Sequence, residues 1–530
     1  MRLLISVVAA LAAGCLASAA EAKSLVYCSE AAPEGFDPAL YVTAATFDAS
    51  SRTLYDRLVE FDSKTGQIVP GLAESWDVSA DGRSYTFHLR QGVKFQTTAY
   101  FTPTRDLDAD DVVFSLDRQS NKKNPYYSYA GGTWPYYGAT AMDALVKSVA
   151  KVDAQTVKVT LNRPDSGLLY DLAMDFASVP SKEYADTLIK PDKRTQLDQQ
   201  PVGTGPYQFV AYQPGVNVTY KANPDYWAGV QKIDDLTFRI VPAPADRLAL
   251  LKSGDCQVVA DLDPASLKTA STDPALAVAS TERFDLAYLA VNTSQKPFDD
   301  PRVRKALGLA VDKGAIVAGV YSGAADPADT IMPHTMWGYD GTIPADAASI
   351  AAARQLLADA GVTGLKLKLL TATDGRPYDP DLVATATTIA ANLAGIGVEA
   401  TVVTADSLAD YFRRASAKDR DSAVVIGWTG DNGDPVGFLS LLLSCDAVGT
   451  SNRAQWCDKS FNGLLDQARA ATDPDAEKKS LSDAQNALAT AVPIIPIAHT
   501  LVEVPMSKKV TGYVVDPLGH HSFVGVDVAN

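Results

Sequence analysis

The run A-V-V-I-G-W-T-G-D-N-G-D-P, residues 423–435, gathers residue types that a small-molecule site uses. Its apolar start, 423–426, reads as a strand that breaks into a turn carrying Gly427, Gly430 and Gly433. Glycine has no Cβ, so other atoms can approach such backbone closely. Trp428 adds an aromatic face, and Asp431 and Asp434 add carboxylates. A strand end that opens into a Gly-rich loop with an aromatic and an acid suits a ligand. The same run also serves as a plain surface turn, so its meaning depends on the rest of the chain.

Other chemistry is weakly represented. The sequence has no G-x-S-x-G nucleophile elbow and no H-E-x-x-H helix. It has no C-x-x-C, and its five histidines lack ligand spacing apart from the adjacent pair His520 and His521, so no metal site is expected. His88 falls on the wet face of an alternating strand. The G-T-G-P-Y run at 203–207 lacks the spacing of a phosphate loop and precedes strands, not a helix. Nothing calls for a cofactor. A carboxylate-pair hydrolase stays compatible with so many acids, but the missing nucleophile favours binding over catalysis.

The totals narrow the partners. With 530 residues the chain has room for two to four domains. A net charge of −16 disfavours nucleic acid and anionic membrane as direct ligands. Residues 1–22 read as a signal peptide: Arg2, an apolar run too short for a bilayer span, then Ala20-Glu21-Ala22 as the cleavage pattern. Lipoprotein processing at Cys15 is the alternative, although Ala12 stands where Leu is usual. Export makes the four later cysteines informative, since an oxidising compartment favours disulfides. Three pairings are open. The short spacing of Cys445 and Cys457 favours a local bridge, which leaves Cys28 for Cys256. Four free thiols remain the alternative.

The elements that must position the 423–435 run differ between the two halves. The first half is rich in hairpins. Asp81-Gly82 is a turn signal between strands, with Tyr85, Phe87 and Leu89 alternating against polar neighbours. Asp108 and Asp111 have the spacing of a capping box for a helix at 107–118. A strand is expected at 256–262. From Phe284 onward strands and helices alternate, which predicts an α/β lobe. Strands are expected at 287–292, 365–370, 398–403 and 423–426, and helices at 300–311, 345–360, 382–394 and 408–415. A helix at 475–490 and a strand-like run at 492–499 follow.

Several runs together resemble one family. They are G-L-A-E-S-W-D-V-S-A-D-G-R-S-Y-T-F-H-L-R at 71–90, G-V-K-F at 92–95 and A-D-D-V-V-F-S at 109–115. V-G-T-G-P-Y at 202–207, I-D-D-L at 233–236, P-R-V-R-K-A-L at 301–307 and G-Y-V-V-D-P-L-G at 512–519 complete the set. The chain is similar along its mature length to the peptide/nickel/opine group of extracytoplasmic solute-binding proteins, which serve ABC importers. L-V-Y-C-S-E at 25–30, P-E-G-F-D-P at 33–38 and the opening run point to the dipeptide-binding subgroup.

The resemblance implies an α/β, two-lobed periplasmic-binding-protein fold with an additional inserted domain and the ligand enclosed between lobes. Lobe I would be discontinuous, from 23–54, 204–281 and 502–530. The inserted domain II would be 55–203, and lobe III 282–501. It also implies roles. Asp431 would take a peptide's ammonium. Arg376, in R-P-Y-D-P at 376–380, would take its carboxylate. Gly427, Trp428, Thr429 and Gly430 would line the ligand backbone, and Asp434 would fall back to a structural turn residue. The implied partners are a dipeptide or short peptide, an inner-membrane ABC permease and a possible chemoreceptor, with the protein a periplasmic monomer. Haem, glutathione, a murein peptide or a nickel complex are alternative ligands, and an exported peptidase is the alternative of another class.

The chemistry fits those roles. A dipeptide holds its two charges a short, fixed distance apart, with about 3.8 Å between its Cα atoms. Burying both charges demands a partner for each. Arginine matches a carboxylate with a planar fork that lysine cannot reproduce. One departure from the subgroup stands out: Thr404 is followed by Ala405-Asp406-Ser407 where an aromatic-rich T-Y-E-W is common. Less bulk there predicts a roomier side-chain pocket.

Overall fold

The computed structural model describes residues 22–129, 131 and 133–529. The signal segment at 1–22, apart from Ala22, and the alternative lipidation site at Cys15 lie outside the described residues. One mixed sheet of twelve strands runs through the chain. Its first half has the order Glu399–Thr404, Lys366–Thr371, Ala423–Thr429, Asp285–Ala290 and Ile495–Ser507. It continues through Val258–Val259, Ser24–Ser29, Asp235–Ile240, Asn217–Ala222 and Tyr207–Gln213.

Ile495–Ser507 joins the two halves. Its early residues pair with Asp285–Ala290 and Ala325–Pro327, and its later ones with Leu276–Glu282 and Val258. The strand is thirteen residues long, well beyond the expected 492–499. Pro496 and Pro505 hide its length in the sequence, since proline usually marks a strand's edge. The expected strand at 256–262 shrinks to Val258–Val259. The helix expected from 345 begins at Ile350, because the Ser349 side chain caps it by accepting from the Ala352 backbone N–H.

The earlier hairpins form as their patterns predict. Ala73–Val78 pairs with Ser84–Leu89, and Tyr85, Phe87 and Leu89 face the core. His88 stays partly exposed, with Nε2 2.8 Å from an Asp77 carboxylate oxygen. Asp108 and Asp111 form the capping box of helix Ala109–Ser120. Both cysteine pairs, Cys28–Cys256 and Cys445–Cys457, are bonded.

Buried apolar side chains gather in separate clusters. One lies within 284–498 and another within 39–202. A third draws on residues 25–55, 207–260 and 502–526. A smaller cluster surrounds Cys28–Cys256. Each cluster removes its own apolar area from water, and Phe61 packs against both of the first two.

Candidate functional site between the strand ends and the inserted segment

Lys366–Thr371 and Ala423–Thr429 run parallel, with Leu369 opposite Ala423 and Leu370 opposite Val424. Both strands therefore deliver their following loops to the same end of the sheet. The crevice outside the carboxyl ends of parallel strands is where open α/β sheets bind ligands. Arg376 lies in the loop after the first strand and Asp431 in the loop after the second.

The 423–426 strand continues three residues further than its sequence suggests, through Gly427 and Trp428 to Thr429. Pairing with Asp285–Ala290 carries it on, as far as Thr429 opposite Asp285. Its other edge is paired only as far as Val424. Gly427, Gly430 and Gly433 are absent from the left-handed backbone region, so the turn does not need them for a positive φ. Close approach explains two of them. A Cβ on Gly427 would lie 2.3 Å from the Tyr378 ring and 2.4 Å from the Leu286 carbonyl oxygen. A Cβ on Gly433 would lie 2.3 Å from the Phe61 ring.

Arg376 is half-buried and opens a tight turn. Its N–H donates to the Asp379 carbonyl at 2.7 Å, and the Asp379 N–H donates back at 3.0 Å. Asp381 then caps helix Leu382–Ala394 by accepting from the Ala384 N–H. The guanidinium carbon stands 5.7 Å from the centre of the Phe412 ring, and its buried Nε has no hydrogen-bond partner. Tyr378, two residues on, is buried against Gly427 and so ties the Arg376 turn to the Asp431 strand. Burial pushes the Tyr378 hydroxyl up, and the neighbouring Arg376 partly offsets this.

Asp431 is exposed, yet the surrounding protein raises its carboxyl above the ordinary value. Desolvation is the cause, and a smaller cavity on which Asp431 also borders is lined by Arg52, Asp175 and His520. Asp434 behaves differently. It caps helix Pro435–Leu443 by accepting from the Val436 N–H at 2.9 Å, and it pairs with Arg469. Thr429 keeps a buried hydroxyl without a partner. Trp428 and Gly430 are half-buried, and both line a cavity of about 220 Å³ together with Asp431.

The opposite wall of that cavity comes from the 55–203 segment, through Tyr136, Asp165 and Asp171. Asn432 donates to Asp171 at 3.0 Å across the gap, and Arg469 reaches Asp165 at 3.3 Å. Burial, reinforced by Asp434 and Asp165, raises the Asp171 carboxyl well above its usual range. The structure thus gathers Trp428, Gly430 and Asp431 around one cavity, while Arg376 is not among that cavity's lining residues. Sequence reasoning missed Tyr378, Phe412 and the Asp171 wall. Tyr378 was in plain view inside R-P-Y-D-P, whereas Phe412 and Asp171 reach the site only through folding.

The family model for bacterial extracellular solute-binding proteins, family 5, matches residues 67–450. The dipeptide-binding protein of Escherichia coli K12 is 43% identical over 97% of this chain and 96% of its own length. The structure of HbpA2 from Haemophilus parasuis matches with a TM-score of 0.92 at 40% identity, over 96% of this chain and 100% of that one. A dipeptide-binding protein from Pseudoalteromonas sp. SM9913, solved in complex with Met-Leu, matches with a TM-score of 0.69 at 34% identity, over 96% and 100%.

Proposed function

The chain belongs to family 5 of the bacterial extracellular solute-binding proteins, and from that premise we propose that it captures dipeptides and similarly short peptides by their charged ends. In this reading Asp431 takes the ammonium and Arg376 the carboxylate. One observation carries it: adjacent parallel strands finish at the same end of the sheet, with Arg376, whose Nε has no hydrogen-bond partner, in the loop after one and Asp431, whose carboxyl burial raises, in the loop after the other. A zwitterionic peptide supplies a partner for each. The edge of Ala423–Thr429 beyond Val424 supports a second contact, in which the ligand backbone adds as a short strand beside Gly427, Trp428, Thr429 and Gly430.

The separate apolar clusters support a division into lobe I (23–54, 204–281 and 502–530), inserted domain II (55–203) and lobe III (282–501). Ligand closes the lobes, with the turn between Leu276–Glu282 and Asp285–Ala290 and the middle of Ile495–Ser507 as the flexing segments. The closed form delivers its peptide to an inner-membrane ABC permease. The protein works in the periplasm as a monomer after loss of residues 1–22, and the closed form is also the state a chemoreceptor would recognise.

Mass spectrometry of ligand released from the purified protein tests this reading, together with calorimetry using free, N-acetylated and C-amidated dipeptides. Short peptides in the released fraction and selective binding of the free form are expected. Released haem, glutathione or a nickel complex, or capped peptides bound as tightly as free ones, would refute the two-ended capture. Cleavage of the dipeptide during incubation would replace it with a peptidase.

A further inference from the structure

A second cavity, of about 210 Å³, shares no lining residue with the 220 Å³ one, and Tyr170 separates it from a smaller cavity bordered by Asp431. Four aromatic residues line it: Trp76, Tyr85, Tyr170 and Trp337. Trp76 and Tyr85 come from neighbouring strands of one hairpin, and Tyr170 from helix Leu168–Leu172. Asp473 and Glu477, at the start of helix Pro474–Ala491, add two carboxylates. No Lys, Arg or His lines this cavity among the described residues.

That composition selects a charge type. The face of an aromatic ring carries partial negative charge, so several rings around a small space attract a cation and repel an anion. The Tyr85 hydroxyl is engaged, donating to the Asp165 carbonyl at 3.0 Å, which leaves its ring as wall. Glu477 accepts from the Ser166 hydroxyl at 3.2 Å, and burial lifts its carboxyl to about 7. The nearby cation Arg469 is turned to Asp165 and Asp434. Four aromatic residues and two acids therefore line one space, with Asp473 also capping its helix through the Ala476 N–H and no cation of the protein among the lining residues.

We infer that this cavity is a second binding site, for a small organic cation of the alkylammonium type, formed between the inserted segment and the Trp337 and Glu477 side. The occupant is a free small cation. Its recognition draws on the aromatic rings and on Glu477, and not on Asp431 or Arg376.

Calorimetry on the full mature chain at mildly alkaline pH tests the site with tetramethylammonium, using tert-butanol as a neutral counterpart of similar size. Saturable binding of tetramethylammonium alone is expected. Trp337→Leu and Glu477→Gln should each weaken it about ten-fold while dipeptide affinity holds. Glu477→Gln keeps the side chain's shape and an oxygen to accept from the Ser166 hydroxyl, so it keeps the test decisive if Trp337→Leu folds poorly. Equal binding of tert-butanol, no saturable binding of tetramethylammonium, or wild-type cation affinity in both variants would overturn the assignment.

Discussion

Gly427→Ala probes how the two proposed anchors, Asp431 and Arg376, are held apart. The new methyl would lie 2.3 Å from Tyr378 Cδ2 and 2.4 Å from the Leu286 carbonyl oxygen. The carbonyl belongs to a paired strand, Leu286 opposite Trp428, and cannot withdraw without breaking the ladder. The ring must therefore give way, although Tyr378 is only 4% exposed. Overpacking of this kind costs about 1–3 kcal/mol. For a chain of this size that is a fall in Tm of about 1–3 °C. A displaced Tyr378 also drags the Arg376 turn, so dipeptide affinity should fall at least about ten-fold, or 1.4 kcal/mol. Gly430→Ala is the control for the melting temperature alone, since Gly430 lines the cavity beside Asp431. Its Cβ would meet the Phe284 carbonyl at 3.2 Å and nothing nearer, so a few tenths of an ångström of give suffice. Differential scanning fluorimetry reads both variants, and calorimetry reads Gly427→Ala. A Gly427→Ala protein that melts lower yet binds normally would refute Tyr378 as the spacer between the anchors. One that matches wild type in both would refute the clash itself.

Asp431→Asn removes a carboxylate that burial disfavours, so the melting temperature should hold or rise while dipeptide affinity falls by about 2–5 kcal/mol; unchanged affinity by calorimetry would remove Asp431 from the site. Burial raises the Asp285 carboxyl to about 7, despite the bonds it accepts from Thr500. Its contribution to stability is therefore fully present below the ordinary aspartate value and lost as pH rises through about 7. Melting curves between about pH 5 and about pH 8 should fall less steeply for Asp285→Asn than for wild type, and parallel curves would contradict this. Replacing both Cys445 and Cys457 by Ser should cost about 3 kcal/mol, and replacing Cys28 and Cys256 about 5 kcal/mol, because the second bridge closes the longer loop. Urea melts check the order of the two losses.

Local patterns carried the features set by near neighbours. The alternation of Tyr85, Phe87 and Leu89, the box of Asp108 and Asp111, and Pro301 at the start of helix Pro301–Ala310 are settled within a few residues. Features set by distant partners stayed hidden. Gly427 weakens a strand on its own, and only the Asp285–Ala290 partner extends that strand to Thr429. Leu276–Glu282, half polar in sequence, becomes a strand because Ile495–Ser507 lies beside it. The acid of the site was visible as a type, but its distinction from Asp434 needed Arg469, thirty-five residues away from Asp434 in sequence. The far wall at Asp171 needed helix Leu168–Leu172 to pack across from Asn432.

Ile495–Ser507 also governs when a growing chain can finish. It is the strand through which Asp285–Ala290 and Val258–Val259 belong to one sheet, and it is the last long strand to be synthesised. Before it arrives, Leu276–Glu282 has no strand partner, and Asp285–Ala290 has one edge open. A nascent chain can build hairpins and helices early but cannot join its two halves until translation is nearly over. Any message truncated before this strand would yield two unlinked half-sheets with open edges, a substrate for proteases and not a shortened binder.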